Sequence, residues 1–109
     1  MENTPEVSVK NENDNEDEIK SITVQVYGHV QGVFFRAWAK EKAENLNIKG
    51  WVRNRVNHHV EIHLEGLSED VDFMVRLLKR GSPSSKVEGI IVDEIPFIGF
   101  TTFEIKETV

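Results

Sequence analysis

Five stretches of the chain are predicted to form strands, and apolar and polar residues alternate along several of them. Such alternation is typical of strands that bury one face and expose the other. In the first stretch, for example, Ile22, Val24 and Val26 alternate with polar residues. The five predicted strands are residues 21–27, 48–54, 60–65, 87–95 and 101–106.

Two other stretches repeat apolar residues every three or four positions, as an amphipathic helix does. The first helix is predicted to begin at Phe35. The second is predicted to have Ser68 as its N-cap, acidic residues in its first turn, and Gly81 at its end. The apolar stripes are Phe35, Trp38, Ala39, Ala43 and Leu46, and then Val71, Met74, Val75 and Leu78.

The resulting order is β-α-β-β-α-β, followed by one short strand. This order is typical of an α+β, ferredoxin-like split βαβ sandwich, in which an antiparallel sheet carries two helices on one face. The loop after the first strand and the end of the second strand can meet only if those strands lie close together in the sheet. Periodicity does not settle that point.

Composition and charge divide the chain into two parts. Of the net charge of −6, residues 1–20 carry −5, from seven acidic residues and two lysines. This segment has almost no bulky apolar residues, so it cannot bury enough surface to offset its loss of entropy on ordering. We therefore predict an acidic disordered tail at 1–19 and one domain at 20–109. An alternative is that the tail docks on a basic partner.

Chain length and the absence of certain residue types and segments exclude several classes of protein. The 109 residues suffice for a single domain, and the chain has no cysteine, which excludes disulfides, thiolate nucleophiles and zinc-thiolate sites. We find no apolar run of membrane-spanning length and no secretion signal. We expect a cytoplasmic monomer that contacts neither membrane nor nucleic acid.

The stretch GHVQGVFFR, residues 28–36, joins the first strand to the first helix. Glycines allow backbone N–H groups to converge, and the amino terminus of a helix attracts anions. Arg36 would add a planar fork matched to two phosphate oxygens. The segment contains neither the dinucleotide fingerprint nor the nucleotide-triphosphate loop. From spacing alone, a tight turn with a solvated Arg36 is the simpler interpretation.

Two motifs in register, GHVQGVFFR and GWVRN at 50–54, resemble the signatures of the acylphosphatase family. The similarity extends from about Ile22 to the carboxyl terminus and includes GSPSSKV at 81–87. It implies a hydrolase without metal or cofactor that cleaves the carboxyl-phosphate bond of acyl phosphates. Inorganic phosphate would be both the product and a competitive ligand. Glycerate bisphosphate, carbamoyl phosphate and acetyl phosphate are all compatible with this class.

The resemblance also implies which residues act. The arginine of the first motif binds phosphate and the asparagine of the second orients the attacking water, which here are Arg36 and Asn54. The phosphate-binding loop contributes backbone groups. Its residues are His29, Val30, Gln31, Gly32, Val33, Phe34 and Phe35.

One departure concerns the turn after Asn54. The family commonly continues with Asp-Gly, which suits the positive φ of a two-residue hairpin, whereas this chain continues with residues 55–59. Asn57 tolerates positive φ and His58 does so less readily. We therefore expect a longer or strained turn with unchanged chemistry.

The motifs contain no acid and no lysine, and this limits the reaction. Amide hydrolysis would need an activated nucleophile or a general acid. An acyl phosphate releases a weakly basic carboxylate and reacts through a loose transition state, so positioning and charge stabilisation suffice. Arginine, backbone N–H groups and one asparagine can supply both.

Other residues are given structural interpretations. His58, His59 and His63 are predicted to be exposed, with His59 and His63 too far apart on a strand to share a metal ion. Trp38 is assigned to the core, and Trp51 is a candidate for the border of the pocket. Arg53 and Arg55 are expected to be solvated. If either reaches the site, it would attract the anionic acyl end.

Two other functions are considered. RNA binding to the sheet would need exposed aromatic residues and a basic face, whereas the domain is nearly neutral. A regulatory or carrier module would bind carbamoyl phosphate without free turnover, as acylphosphatase-like domains do within larger maturation enzymes. Against it, we expect the domain to stand alone, and the sequence has no zinc-finger cysteines.

Overall fold

A computed structural model describes residues 18–109. Five strands and two helices follow one another in the predicted order, with bounds close to those predicted. The elements are β1 (Ile19–His29), α1 (Phe35–Asn45), β2 (Lys49–Asn54), β3 (Val60–Leu67), α2 (Ser68–Arg80), β4 (Lys86–Glu94) and β5 (Phe103–Ile105).

The strands form one sheet in the order β4-β1-β3-β2-β5. β3 pairs antiparallel with β1 and β2, and β4 pairs antiparallel with β1. β5 pairs parallel with β2, with Gly50 opposite Phe103. The four strands of the predicted ferredoxin-like arrangement are antiparallel, which confirms that fold, and the short fifth strand makes the sheet mixed. β5 reaches the far edge because the chain crosses the whole sheet after β4.

One hydrophobic core lies between the two helices and the sheet. Alternate residues of β1 and β3 face it, and they meet the apolar stripes of both helices, as the periodicity predicts. Trp38 packs against this core, which confirms its assignment. The fully buried members include Val24, Val26, Phe35, Ala39, Val52, Ile62, Leu64, Met74 and Leu78.

We call the other side of the sheet the open face. The strap, defined here as residues 95–102, crosses it between β4 and β5. Backbone N–H groups of Ile98 and Gly99 donate to the Glu65 carboxylate at 2.7 and 3.0 Å. The Ser21 hydroxyl donates to the same carboxylate at 2.9 Å. Glu65 therefore fixes the strap to the sheet.

Glu65 is only 2% exposed, yet it is ionised. Burial alone would raise its pKa. The backbone N–H groups of Ile98 and Gly99, together with Ser21 and His63, outweigh burial and lower the pKa from 4.5 to about 2. The phenyl ring of Phe100 meets the His63 imidazole edge-on at 4.7 Å. The strap is thus held by both polar and aromatic contacts.

Three local features complete the fold. Gly81 ends α2 as predicted, but the N-cap is Leu67, so the prediction of a Ser68 cap was wrong. Ser68 is already helical, and its backbone N–H donates to the carbonyl of Glu18 at 2.7 Å. That bond satisfies one of the N–H groups that lack a partner within the helix at its start.

The predicted tail, residues 1–19, lies outside the described residues except for Glu18 and Ile19. Ile19 is the first residue of β1 and pairs with Leu67 of β3. The division of the chain at residues 19 and 20 otherwise stays a prediction. Neither helix of the part that the structure describes is long and apolar enough to cross a membrane.

Candidate active site

The segment between β1 and α1 begins at a bulge that only glycine fits. The pairing of β1 with β4 shifts register between Tyr27 and Gly28. A Cβ atom at Gly28 would lie 2.2 Å from the carbonyl oxygen of Lys86, and φ at Gly28 is 127°. Gly32 repeats the positive φ, at 72°, in open space. These two residues turn the chain from the sheet edge towards α1.

Phe34 is the third residue of this segment with positive φ. It precedes α1 as its N-cap, with φ 60° and ψ 25°. A left-handed conformation costs an L-residue about 1–2 kcal/mol, because Cβ approaches the following carbonyl oxygen. The Phe34 side chain is also 88% exposed. Local strain and an exposed aromatic ring therefore coincide at one position.

The backbone of this loop offers hydrogen-bond donors. Within residues 18–109, no N–H group from Gln31 to Ala37 donates to another backbone group. The next N–H, of Trp38, donates to the carbonyl of Phe34 at 3.1 Å and starts the helical pattern. N–H groups of a loop and a first helical turn, together with the helix dipole, favour a bound anion.

A pocket of about 310 Å³ lies beside these donors. Among the described residues that line it, Arg36 carries the only charge, and it is half-buried in the first turn of α1. No carboxylate among residues 18–109 forms an ion pair with Arg36. The lining residues are Val30, Gly32, Phe34, Phe35, Arg36, Ala37, Asn54 and Ile105.

Asn54 reaches this pocket from the other side. It is the last residue of β2, and it pairs with Val60 of β3. Its side-chain oxygen Oδ1 is buried and has no hydrogen-bond partner among the described residues. An unsatisfied buried acceptor costs about 1–3 kcal/mol, so a donor from a bound molecule would stabilise the site.

The Gln31 side chain holds the loop against the turn that follows Asn54. Its Nε2 donates to the carbonyls of Arg55 and His59, each at 2.9 Å. These two bonds connect the segment that carries Arg36 to the segment that carries Asn54. From the sequence, Gln31 was predicted to have only a backbone role, because a single polar residue in a loop gives no sign of its partner.

The turn between β2 and β3 is longer than a two-residue hairpin, which confirms that expectation. The Arg55 N–H donates to the carbonyl of His59 at 2.8 Å, and His58 takes positive φ, at 84°. Asn57, the residue better suited to that conformation, does not take it. Asn54 nevertheless stays in the β2 ladder, so the departure is confined to the turn.

The predicted site residues do not all reach the pocket. Arg36 and Asn54 both line it, although β3 separates their neighbouring strands in the sheet. Val30, Gly32, Phe34 and Phe35 of the predicted loop line it as well. His29, Gln31 and Val33 do not. Ala37 and Ile105 line it without having been predicted, since neither carries a chemical signal in the sequence.

Trp51, Arg53 and Arg55 lie outside the pocket. Trp51 is not among the residues that line the pocket, and its ring lies instead beneath the Arg53 guanidinium and the Lys106 ammonium. Arg53 and Arg55 form ion pairs with Glu61 at 3.0 and 3.1 Å. The expectation of solvated arginines was therefore wrong. Both help to order the turn on the open face.

The histidines also differ from expectation. His58 is exposed, as predicted, but His59 and His63 are 9% and 2% exposed. His59 stacks on Tyr27 with ring centroids 4.7 Å apart, and its Nε2 contacts Gln25. Burial and the nearby Arg55 charge lower the pKa of His59. Within residues 18–109, no three His, Cys, Asp or Glu side chains are grouped to hold a metal ion.

Comparison with known proteins shows which protein family the chain resembles. The family model described as Acylphosphatase matches residues 22–105. An acylphosphatase from Rhizorhabdus wittichii is 43% identical over 86 residues, which span 79% of this chain and 87% of that protein. The crystal structure of the Bacillus subtilis acylphosphatase superposes with a TM-score of 0.77 at 37% identity, over 82% of this chain and 99% of that one.

A larger protein contains a similar domain. Full-length HypF, solved in a phosphate- and nucleotide-bound form, superposes with a TM-score of 0.77 at 30% identity over 84% of this chain, but over only 12% of its own. The relatives that are at least 37% identical and match over most of their length carry one family name. With the matched model and the shared ferredoxin-like fold, they show that this chain belongs to the acylphosphatase family.

Proposed function

We propose that this acylphosphatase binds the phosphoryl group of its substrate with Arg36 and the backbone of residues 29–35, and that Asn54 positions the attacking water. The substrate is a small acyl phosphate, which hydrolysis converts to a carboxylate and inorganic phosphate. One observation supports these roles above the others. The unpaired Asn54 Oδ1 and the Arg36 side chain line the same pocket, beside a loop with unpaired N–H groups.

Arg36 and the loop stabilise charge. The guanidinium donates two parallel hydrogen bonds to phosphoryl oxygens, and the loop N–H groups donate to the rest. These bonds strengthen as charge builds up on the oxygens in the transition state, and that difference lowers the barrier. The carboxylate leaving group is weakly basic and departs without a proton donor.

Asn54 orients the nucleophile. Its Oδ1 accepts a hydrogen bond from water, so the water oxygen is directed at phosphorus opposite the leaving carboxylate. No acidic side chain lines the pocket among the described residues, so a phosphoryl oxygen takes the proton of the water. Asn54 accordingly acts through position, and its removal leaves phosphate binding in place.

The test is steady-state hydrolysis of benzoyl phosphate by the purified chain, with inorganic phosphate as inhibitor. Arg36→Lys should lose most activity and bind phosphate more weakly, because an ammonium cannot reproduce the planar fork. Asn54→Ala should lower kcat by about 100-fold, as expected when a transition-state interaction is removed, while the inhibition constant for phosphate stays near that of the parent.

Three outcomes would contradict this assignment. They are near-normal turnover by Arg36→Lys, noncompetitive inhibition by phosphate, and an Asn54→Ala variant that loses thermal stability but keeps its kcat per folded molecule. Phosphate binding without turnover in the parent would instead favour a carrier module.

From the composition of the chain, we also expect the protein to be a monomer that acts in the cytoplasm.

A further inference from the structure

The strained, exposed Phe34 needs an explanation that packing does not give. Its ring is 88% exposed, and it stacks on no other aromatic ring among residues 18–109. Glycine would take a φ of 60° without strain. Strained residues of this kind cluster at functional sites, where the surrounding structure maintains them.

The pocket that Phe34 borders has two chemically different parts. Arg36, Asn54 and the loop backbone form the part suited to phosphate. Phe34, Ala37 and Ile105 contribute apolar side chains. Ile105 is 43% exposed, so this apolar surface is open to a ligand and is not covered by the protein.

A bound acyl phosphate must place its two ends differently. The phosphoryl group requires the donors, so the acyl group extends to lining residues that offer no charge. A flat exposed ring and a branched aliphatic chain present apolar surface for contact there. Burying apolar acyl surface against them is favourable, and a ring in the acyl group gains further from offset or edge-on contact with Phe34.

We propose that Phe34, together with Ile105, contacts the acyl group and makes the enzyme prefer acyl phosphates with aromatic or large apolar acyl groups over acetyl phosphate. The proposal rests on the phosphate-binding role assigned to Arg36 and the loop. It adds a specificity determinant at the other end of the substrate. It also explains why a strained aromatic residue occupies a position that suits glycine.

The experiment compares kcat/KM for benzoyl phosphate and acetyl phosphate in the parent, Phe34→Gly and Ile105→Ala. The quantity of interest is the ratio of the two values, because any change in loop geometry affects both substrates alike. The ratio should fall by about tenfold in Phe34→Gly and in the same direction in Ile105→Ala, as expected for loss of an apolar contact. Ile105→Ala leaves the loop itself unaltered.

Phe73→Ala serves as the matched control, since Phe73 is an exposed phenylalanine on α2 that does not line the pocket. Its ratio should equal that of the parent. A Phe34→Gly ratio within about twofold of the parent would overturn the proposal, because such a change is too small for a lost ring contact. A parent that hydrolyses neither substrate would overturn the proposed function itself, and the inference with it.

Discussion

Replacement of Glu65 by glutamine tests how the strap is held on the open face. The carboxylate accepts hydrogen bonds from Ile98, Gly99 and Ser21, and it lies 3.1 Å from Nε2 of His63. Glutamine has nearly the same shape but carries no charge, and its amide nitrogen cannot accept a hydrogen bond. Glu65→Gln therefore removes ionic acceptors without creating a cavity.

The expected loss of folding free energy follows from the lowered pKa of Glu65. Each pH unit by which the folded pKa lies below the unfolded one is equivalent to about 1.4 kcal/mol, so a fall from 4.5 to about 2 corresponds to about 3 kcal/mol. Solvent screening does not reduce this value much, since Glu65 is 2% exposed. For a domain of this size, the loss would lower Tm by about 10–20 °C.

The sign of the pH dependence is fixed by the lowered pKa. The contribution is fully present above pH 4.5, and it is lost as pH falls towards 2, because the unfolded chain takes up the proton first. Urea unfolding followed by tryptophan fluorescence measures the free energy of unfolding across this range. The difference between parent and Glu65→Gln should be about 3 kcal/mol at pH 7 and less than half of that by about pH 3.

Glu88→Gln is the control, because Glu88 is an exposed carboxylate on β4. It should change stability by less than about 0.5 kcal/mol at any pH. A gap between parent and Glu65→Gln that stays constant with pH would refute the reasoning, since shape and not charge would then account for it. The inhibition constant for inorganic phosphate should not change, as Glu65 does not line the pocket with Arg36.

Two further predictions concern the connection between the loop and the β2–β3 turn. Gln31→Ala removes two hydrogen bonds to backbone carbonyls, so it should raise KM for benzoyl phosphate several-fold. The circular dichroism spectrum should stay native. An unchanged KM would contradict a positioning role for Gln31. His59 has a lowered pKa, because burial and the Arg55 charge outweigh the opposing Glu61. The parent should therefore lose stability as pH falls below 6.5, and His59→Phe, which keeps a ring against Tyr27, should lose less.

The sequence predicted the elements well because alternation and helical repeat depend on burial of one face. It could not assign neighbours within the sheet. Alternation in 101–106 shows that one face of that strand is buried, but it does not distinguish parallel pairing with β2 from an antiparallel position. Pairing at the far edge depends on the path of the strap, which periodicity does not describe.

The polar residues of the open face were misjudged for a related reason. His63 and Glu65 alternate with apolar residues, and in a sheet with one solvated face such positions face water. Here the strap covers them. The only apolar signal was Phe100, whose ring contacts His63, since Phe97 and Ile98 of the described strap are each 63% exposed. A buried carboxylate would still have needed the three-dimensional path of the strap.

The two motifs predicted Arg36 and Asn54, which line one pocket, but they did not predict the contacts that connect the two segments. Gln31 bonds to backbone carbonyls, and carbonyls carry no residue-specific signal in a sequence. Ile105 reaches the pocket because β5 lies beside β2, a pairing that was itself unpredicted. Because the position of β5 in the sheet was not predicted, Ile105 was missing from the predicted site.

The contacts that stabilise the strap and the residues of the proposed active site lie on opposite sides of the sheet. The charged cluster at Glu65 holds the strap on one side, while the phosphate loop and Asn54 lie at the pocket on the other. The strap leads directly into β5, and β5 carries Ile105 to the pocket. Loss of the Glu65 contacts can therefore reach the site through β5. A weakened strap should first affect the apolar acyl end of the pocket, and the phosphate end, built on β1, α1 and β2, should be affected last.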